Sequence, residues 1–381
     1  MNIIESKLPN VGTTIFTTIG ALARQHDAID LSQGFPNFDP NPDLLKLVGE
    51  AYKEGYNQYA PMPGVFSLRE MISQKIETLY GTHYHPESEI IITSGATQAI
   101  FTTVSAFVQK GDEVIVLKPA YDSYEPSIEL YGGKVIPVEL EGNNFKMNWD
   151  VFKAAISSKT RMVVINTPHN PTGTIWSADD MLRLQEILRG TDIILLSDEV
   201  YEHIVFDGKG HESVAKYSDL ASRSMICSSF GKTFHATGWK MGYCAGPEHL
   251  MKEFRKVHQF NIFSVSHALQ MALAQYLKEP KHYLELNAFY QKKRDYFLDA
   301  IKDSRFQMIP SSGTYFQLLE YSNITDENDT VFAERLIKEH QLASIPVSVF
   351  CNEAYNQKFL RFCFAKTNDV LDRAAEILNK I

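Results

Sequence analysis

The chain has 381 residues, 44% of them hydrophobic and 22% charged, the make-up of an ordinary globular protein of about two domains. A formal net charge of −9 argues against a nucleic-acid binder, which needs a basic face to meet phosphates. The four cysteines, Cys227, Cys244, Cys351 and Cys363, stand apart without zinc spacing and read as free thiols of a reducing compartment. The first residues lack the continuous apolar core of a signal peptide, and no apolar run approaches the roughly 18 residues of a membrane helix. A cytoplasmic location is the expectation.

Residues 1 to about 45 carry few strand signals. From about 85 to 260, short β-branched runs alternate with amphipathic stretches. The strand candidates are EIIIT (89–93), EVIVL (113–117), KVIPVEL (134–140), MVVIN (162–166), IILLS (193–197), MICSS (225–229) and MGYCA (241–245). Most are continuously apolar, as strands covered on both faces should be. Between them TQAIFTTVSAFVQK reads as a helix stopped by Gly111. ADDMLRLQEILR reads as another, opened by Ser177 with Asp180 three residues on and closed by Gly190. The alternation predicts an α/β fold, a mostly parallel sheet with helices on both faces. Beyond about 275 the texture changes. A long polar helix (roughly 281–303), TYFQLLEY, a helix near 329–340, ASIPVSVF, FLRFCFA and a final helix suggest a smaller α+β unit. The expected division is a large domain at 46–275 and a small one made of 1–45 and 276–381, in one compact body with a cleft.

Ligands of such sheets sit at the C-terminal strand ends, so the loops that follow strands are the place for chemistry. FGKTF (230–234) is not a P-loop, because the first glycine of that pattern falls on Ile226. No GxGxxG, GxSxG or HExxH occurs, and the histidines lack ligand spacing, so no metal is expected. SGATQ (94–98) opens a helix whose N–H groups suit a phosphate, or is a plain strand-to-helix turn. Tyr121, in KPAYDSY, either stacks on a flat ring or belongs to the rim. In NTPHNPTG (166–173) Pro168 and Pro171 stiffen the loop that carries Asn166 and Asn170. Asp198, ending an apolar strand, needs a cationic partner or serves as a cap. Tyr201 follows it by three residues. The stretch SSFGKTFHATGWKMGY (228–243) sets Ser229, Lys232 and Lys240 between two buried strands, an unusual place for a solvated lysine.

Pyridoxal 5′-phosphate (PLP) chemistry calls for this set: an amine, an acid for the ring nitrogen, a donor for the ring oxygen, an anion seat and a guanidinium for the substrate carboxylate. With LSQGFPNF, NQYAPMPG and LRFCFAK added in order, the chain resembles the class I (fold type I) PLP aminotransferases over nearly its whole length. It is most similar to bacterial methionine aminotransferases and next to the kynurenine aminotransferase/glutamine transaminase K group.

The resemblance implies that Lys232 carries the Schiff base and shuttles the proton. It implies that Asp198 pairs with the pyridine nitrogen, that Asn170 and Tyr201 contact the ring oxygen, and that Tyr121 stacks. Backbone of Ala96 and Thr97, with Ser229 and Lys240, would hold the phosphate, helped by Tyr59 of a second subunit; a homodimer with shared sites follows. Arg361 would bind the substrate carboxylate, assisted by Asn166 and the backbone of Gly34, with Phe16, Phe35, Tyr59 and Phe263 along the side-chain pocket.

Two departures stand out. Lys240 replaces the arginine of many relatives, keeping the charge and losing the fork. Phe263–Ser264 stands where kynurenine enzymes carry a phenylalanine–histidine pair. The expected reaction is transamination between a large neutral amino acid, such as methionine, an aromatic residue or glutamine, and a 2-oxo acid. The alternatives weighed are a C–S β-lyase and a regulatory module that keeps the fold.

Overall fold

The computed structural model describes residues 5–352 and 357–381. All seven strand candidates form, within one or two residues of the expected ends. They are β1 (Ile90–Thr93), β2 (Glu113–Lys118), β3 (Lys134–Glu139), β4 (Thr160–Asn166), β5 (Ile194–Asp198), β6 (Ser224–Ser229) and β7 (Gly242–Ala245). They build one sheet in the order β1-β7-β6-β5-β4-β2-β3. Only β7 runs against its neighbours, β1 and β6; the remaining ladders are parallel.

Alternation along each strand feeds two cores. Ile90, Ile92, Val163, Ile165 and Leu195 point into one, and Ile91, Val164 and Leu196 into the other. Both faces are therefore dry, which explains the unbroken apolar runs. The helix after β4 (Ala178–Leu188) has the expected capping box, Ser177 and Asp180 each bonding the other's backbone N–H.

A second sheet, antiparallel and ordered β10-β11-β9-β8, contains β8 (Gln307–Met308), β9 (Phe316–Glu320), β10 (Ile345–Pro346) and β11 (Phe359–Cys363). Helices Asp329–His340 and Asn368–Leu378 cover it. Its core takes in Ile19, Ala23 and Leu31 from the N-terminal part and Tyr201, Ile204 and Phe206 from the loop after β5.

The long polar helix expected at 281–303 comes in two pieces, Lys281–Leu284 and Leu286–Ala300. The break falls where the chain passes between cores. Tyr283 packs beneath the large sheet, whereas Leu286, Tyr290 and Phe297 pack with the small one. Among the described residues no helix is long and apolar enough to cross a membrane.

Candidate active site

The C-terminal ends of β1, β2, β4, β5 and β6 face one cavity of about 160 Å³. Ten of the expected site residues wall it: Ala96, Thr97, Tyr121, Asn166, Asn170, Asp198, Tyr201, Ser229, Lys232 and Lys240. The strand-end reading therefore collects groups from across 145 positions of sequence (96 to 240) into one place.

One end of the cavity suits an anion. The helix Gly95–Phe107 starts there without a side-chain cap on its free N–H groups. Lys240, held at a left-handed φ of 52°, brings its ammonium over Gly95, where an added Cβ would lie 3.5 Å from Nζ. A lysine parked at the positive end of a helix repels it unless an anion sits between them. Ser229 and Thr237 also line the cavity. Gly242 makes the close approach possible. A Cβ on it would meet Ser228 O at 2.5 Å, Gly95 C at 2.9 Å and Ala96 N at 3.0 Å, all of them backbone.

At the other end Asp198 terminates β5 in a buried position. The Tyr124 hydroxyl donates to its Oδ2 at 2.6 Å. Burial pushes the Asp198 carboxyl up to about 6, against the hydrogen bonds from Tyr124 and Val200 and the charge of Lys232. A carboxylate so placed favours a cationic partner such as a protonated ring nitrogen. Burial likewise draws the Lys232 amine down to about 8. That brings a normally inert ammonium within reach of neutral-pH proton transfer.

Arg361 comes from β11, on the small sheet, and is 1% exposed. Its Nη1 donates to Asn170 Oδ1 at 2.6 Å and its Nη2 to Ser32 O at 3.2 Å. Its guanidinium lies 3.9 Å from the Phe316 ring centre and 5.3 Å from that of Phe16. Among the described residues its Nε is buried without a partner. A donor left open in this way suits a carboxylate. Asn166, by contrast, spends its side chain on the loop itself: Nδ2 donates to Asp198 O and Oδ1 accepts from Asn170 N, both at 2.8 Å. Gly34 presents its carbonyl to Lys232 Nζ at 3.0 Å.

Tyr59 and Phe263 do not line the cavity. They touch each other edge-on at 5.4 Å, 82% and 48% exposed. Phe35 is also exposed, beneath Lys366.

Three residues at the site went unread in the sequence: Tyr124 on Asp198, Phe316 under Arg361, and Tyr315 within 2.8 Å of Lys232 Nζ. Each is an aromatic that core packing would explain equally well. The one cue was position, Tyr124 after a strand end, Tyr315 just before β9 and Phe316 opening it.

The donor set fits PLP part for part: an amine, an acid suited to a ring nitrogen, an aromatic wall at Tyr121, and an anion seat of amides, hydroxyls and Lys240. Comparison with known proteins agrees. The pattern of the aminotransferase class I and II family matches residues 26–378. The methionine aminotransferase of Escherichia coli is 48% identical over 378 residues, covering 99% of this chain and 98% of that protein. The kynurenine–oxoglutarate transaminase 1 of Rattus norvegicus is 31% identical, covering 98% and 97%. A solved Escherichia coli structure, reported with a methionine aminotransferase function, superposes with a TM-score of 0.96 at 47% identity over the whole of both chains. The chain belongs to the class I and II aminotransferases, PLP enzymes of fold type I that carry out transamination.

The Gly242 contact is open to test. Gly242→Ala should push β7 off the helix start, cost about 1–3 kcal/mol of stability by overpacking, and weaken PLP binding. Urea unfolding with and without PLP measures both. An alanine variant of native stability and PLP affinity would mean that this approach does not shape the anion seat.

Proposed function

We propose that this protein moves the amino group of methionine, and of other large neutral amino acids such as aromatic residues and glutamine, to a 2-oxo acid by a ping-pong reaction. The observation that carries the reading is the Arg361 guanidinium, buried beside Phe16, Phe316 and Phe350 with its Nε unpartnered among the described residues. It offers a donor for an α-carboxylate within an aromatic wall. Sulfur–aromatic contact suits a thioether there. Among the described residues no arginine lines the cavity, and Arg361 stands beside it on Asn170 of its wall, so a distal carboxylate finds no second fork. The 48% identity to a methionine aminotransferase supports the same donor.

PLP, when bound, supplies the electron sink that makes the substrate Cα–H acidic. The chain's groups do the rest. Lys232 anchors PLP through its amine and moves the proton at Cα. Asp198 keeps the ring nitrogen protonated. Asn170 and Tyr201 serve the ring oxygen, and Tyr121 stacks on the ring. Ala96 and Thr97 amides, Ser229 and Lys240 hold the phosphate. Arg361, aligned by Asn170 and Ser32, orients the carboxylate, with Asn166 bracing the loop.

The domain division proposed is the large PLP-binding part of about 46–275 and the small part of 1–45 and 276–381. Core membership supports moving the borders slightly. Leu44 packs with the large part, and the second core takes over at Leu286. A cytoplasmic setting is proposed from the free, mostly buried thiols and is checked by cell fractionation.

The exposed Tyr59–Phe263 pair supports a homodimer in which both side chains reach the neighbour's cavity. Lys240 and the helix start then gain Tyr59 of the partner copy. Sedimentation at assay concentration should give a dimer, and Tyr59→Phe should weaken PLP binding; an active monomer would rule out shared sites.

Full-chain resemblance to aminotransferases sets the C–S lyase alternative aside. A donor panel with several 2-oxo acids, read as kcat/KM, decides the substrate. Methionine should rank at or near the top, with aspartate at least tenfold poorer, about 1.4 kcal/mol. Arg361→Lys, which loses the fork, should raise KM for amino and oxo acids alike while PLP stays bound. Aspartate preferred over methionine, or pyruvate and ammonia from cystathionine without any oxo acid, would overturn the proposal.

A further inference from the structure

Tyr315 has no part in the roles above, yet it touches the central amine. It sits just before β9, fully buried, its ring edge-on to Tyr201 at 5.2 Å and 86°. Its hydroxyl donates to Gly34 O at 2.6 Å. Lys232 Nζ lies 2.8 Å from the same hydroxyl oxygen and 3.0 Å from Gly34 O.

A phenol has one hydrogen to give. With that hydrogen on Gly34, the Tyr315 oxygen meets the lysine as an acceptor. Burial raises the Tyr315 pKa well above the ordinary tyrosine value, so the phenol keeps its proton and takes none from Lys232. Two N–H bonds of the amine thus end on two fixed oxygens. The remaining valence of the nitrogen points away from both. It is a lone pair in the amine and a third proton in the ammonium. The Tyr201 ring, its centre 5.7 Å from Nζ, closes one side.

We propose that Tyr315 is a positioning residue for the transamination step: with the Gly34 carbonyl it holds the Lys232 nitrogen so that its third valence is kept for the substrate Cα. As the proton leaves, the C–H electron pair stays on carbon and the proton takes the nitrogen lone pair; Tyr315 gains and loses nothing. The inference rests on the reading of Lys232 as the amine that moves this proton. The same hydroxyl also ties Gly34 to β9.

Tyr315→Phe keeps the ring and removes the acceptor. The holoenzyme variant is assayed with methionine and with Cα-deuterated methionine. Cofactor attachment is mapped in the same preparation by borohydride reduction and peptide mass spectrometry. Expected are a label on Lys232, an unchanged KM, a kcat lowered about tenfold to hundredfold, and a larger primary isotope effect. A loosely held amine slows the proton transfer and little else. With the label on Lys232, a native kcat and isotope effect would overturn the role of Tyr315. So would a loss of PLP or a rise in KM with the isotope effect unchanged. A label on another lysine would instead remove the Lys232 reading on which the inference stands.

Discussion

Charge taken out of water governs this site. Asp198 and Arg361 are almost fully buried and Lys232 is enclosed beside them, and burial pushes each toward its neutral form. An isolated buried ion costs several kcal/mol, so each is placed where something answers it. Tyr124 donates to Asp198. Asn170 and Ser32 accept from Arg361. Gly34 and Tyr315 accept from Lys232. The cations still dominate: Lys232 and Lys240 line the cavity with Asp198, and Arg361 stands beside it on Asn170. That imbalance is what a phosphate dianion and a substrate carboxylate would correct, and it ties cofactor and substrate to the same electrostatic need.

The scaffold explains how such groups stay put. Asp198 and Ser229 end β5 and β6, Asn166 ends β4, and Lys240 precedes β7, all anchored in a sheet that is dry on both faces. Arg361 arrives from the small sheet, where its partner across the ladder is Leu318. The site is therefore assembled from both cores. The Tyr201 segment, which leaves β5 and packs into the second core, ties them together.

Much of this was legible in the sequence, for physical reasons. Continuous apolar runs mark strands covered on both sides, and all seven are there. The capping box at Ser177 marks a helix start unambiguously. Charged residues at the ends of apolar strands or between two of them marked Asp198, Lys232 and Lys240, since unpaired charge is not put there without use. Direction was not legible: the apolar pattern of β7 is the same whichever way it runs. The break at Glu285 was hidden because both pieces have helical composition and the change of core is tertiary. Tyr124 and Tyr315 were hidden because a tyrosine's hydroxyl partner is not encoded beside it. The resemblance places Tyr59 at a neighbour's phosphate and Phe263 on the side-chain pocket, and the single chain leaves both exposed.

The central claim is that the Asp198 carboxylate answers a cation of the bound cofactor. The direct measurement is single-turnover transamination by Asp198→Ala, with PLP affinity determined on the same protein. Weaker PLP binding and a rate lower by about 10²–10³-fold or more are expected when a charge-stabilising partner is removed. A variant that binds PLP as tightly as the parent and turns over at a near-native rate would contradict it.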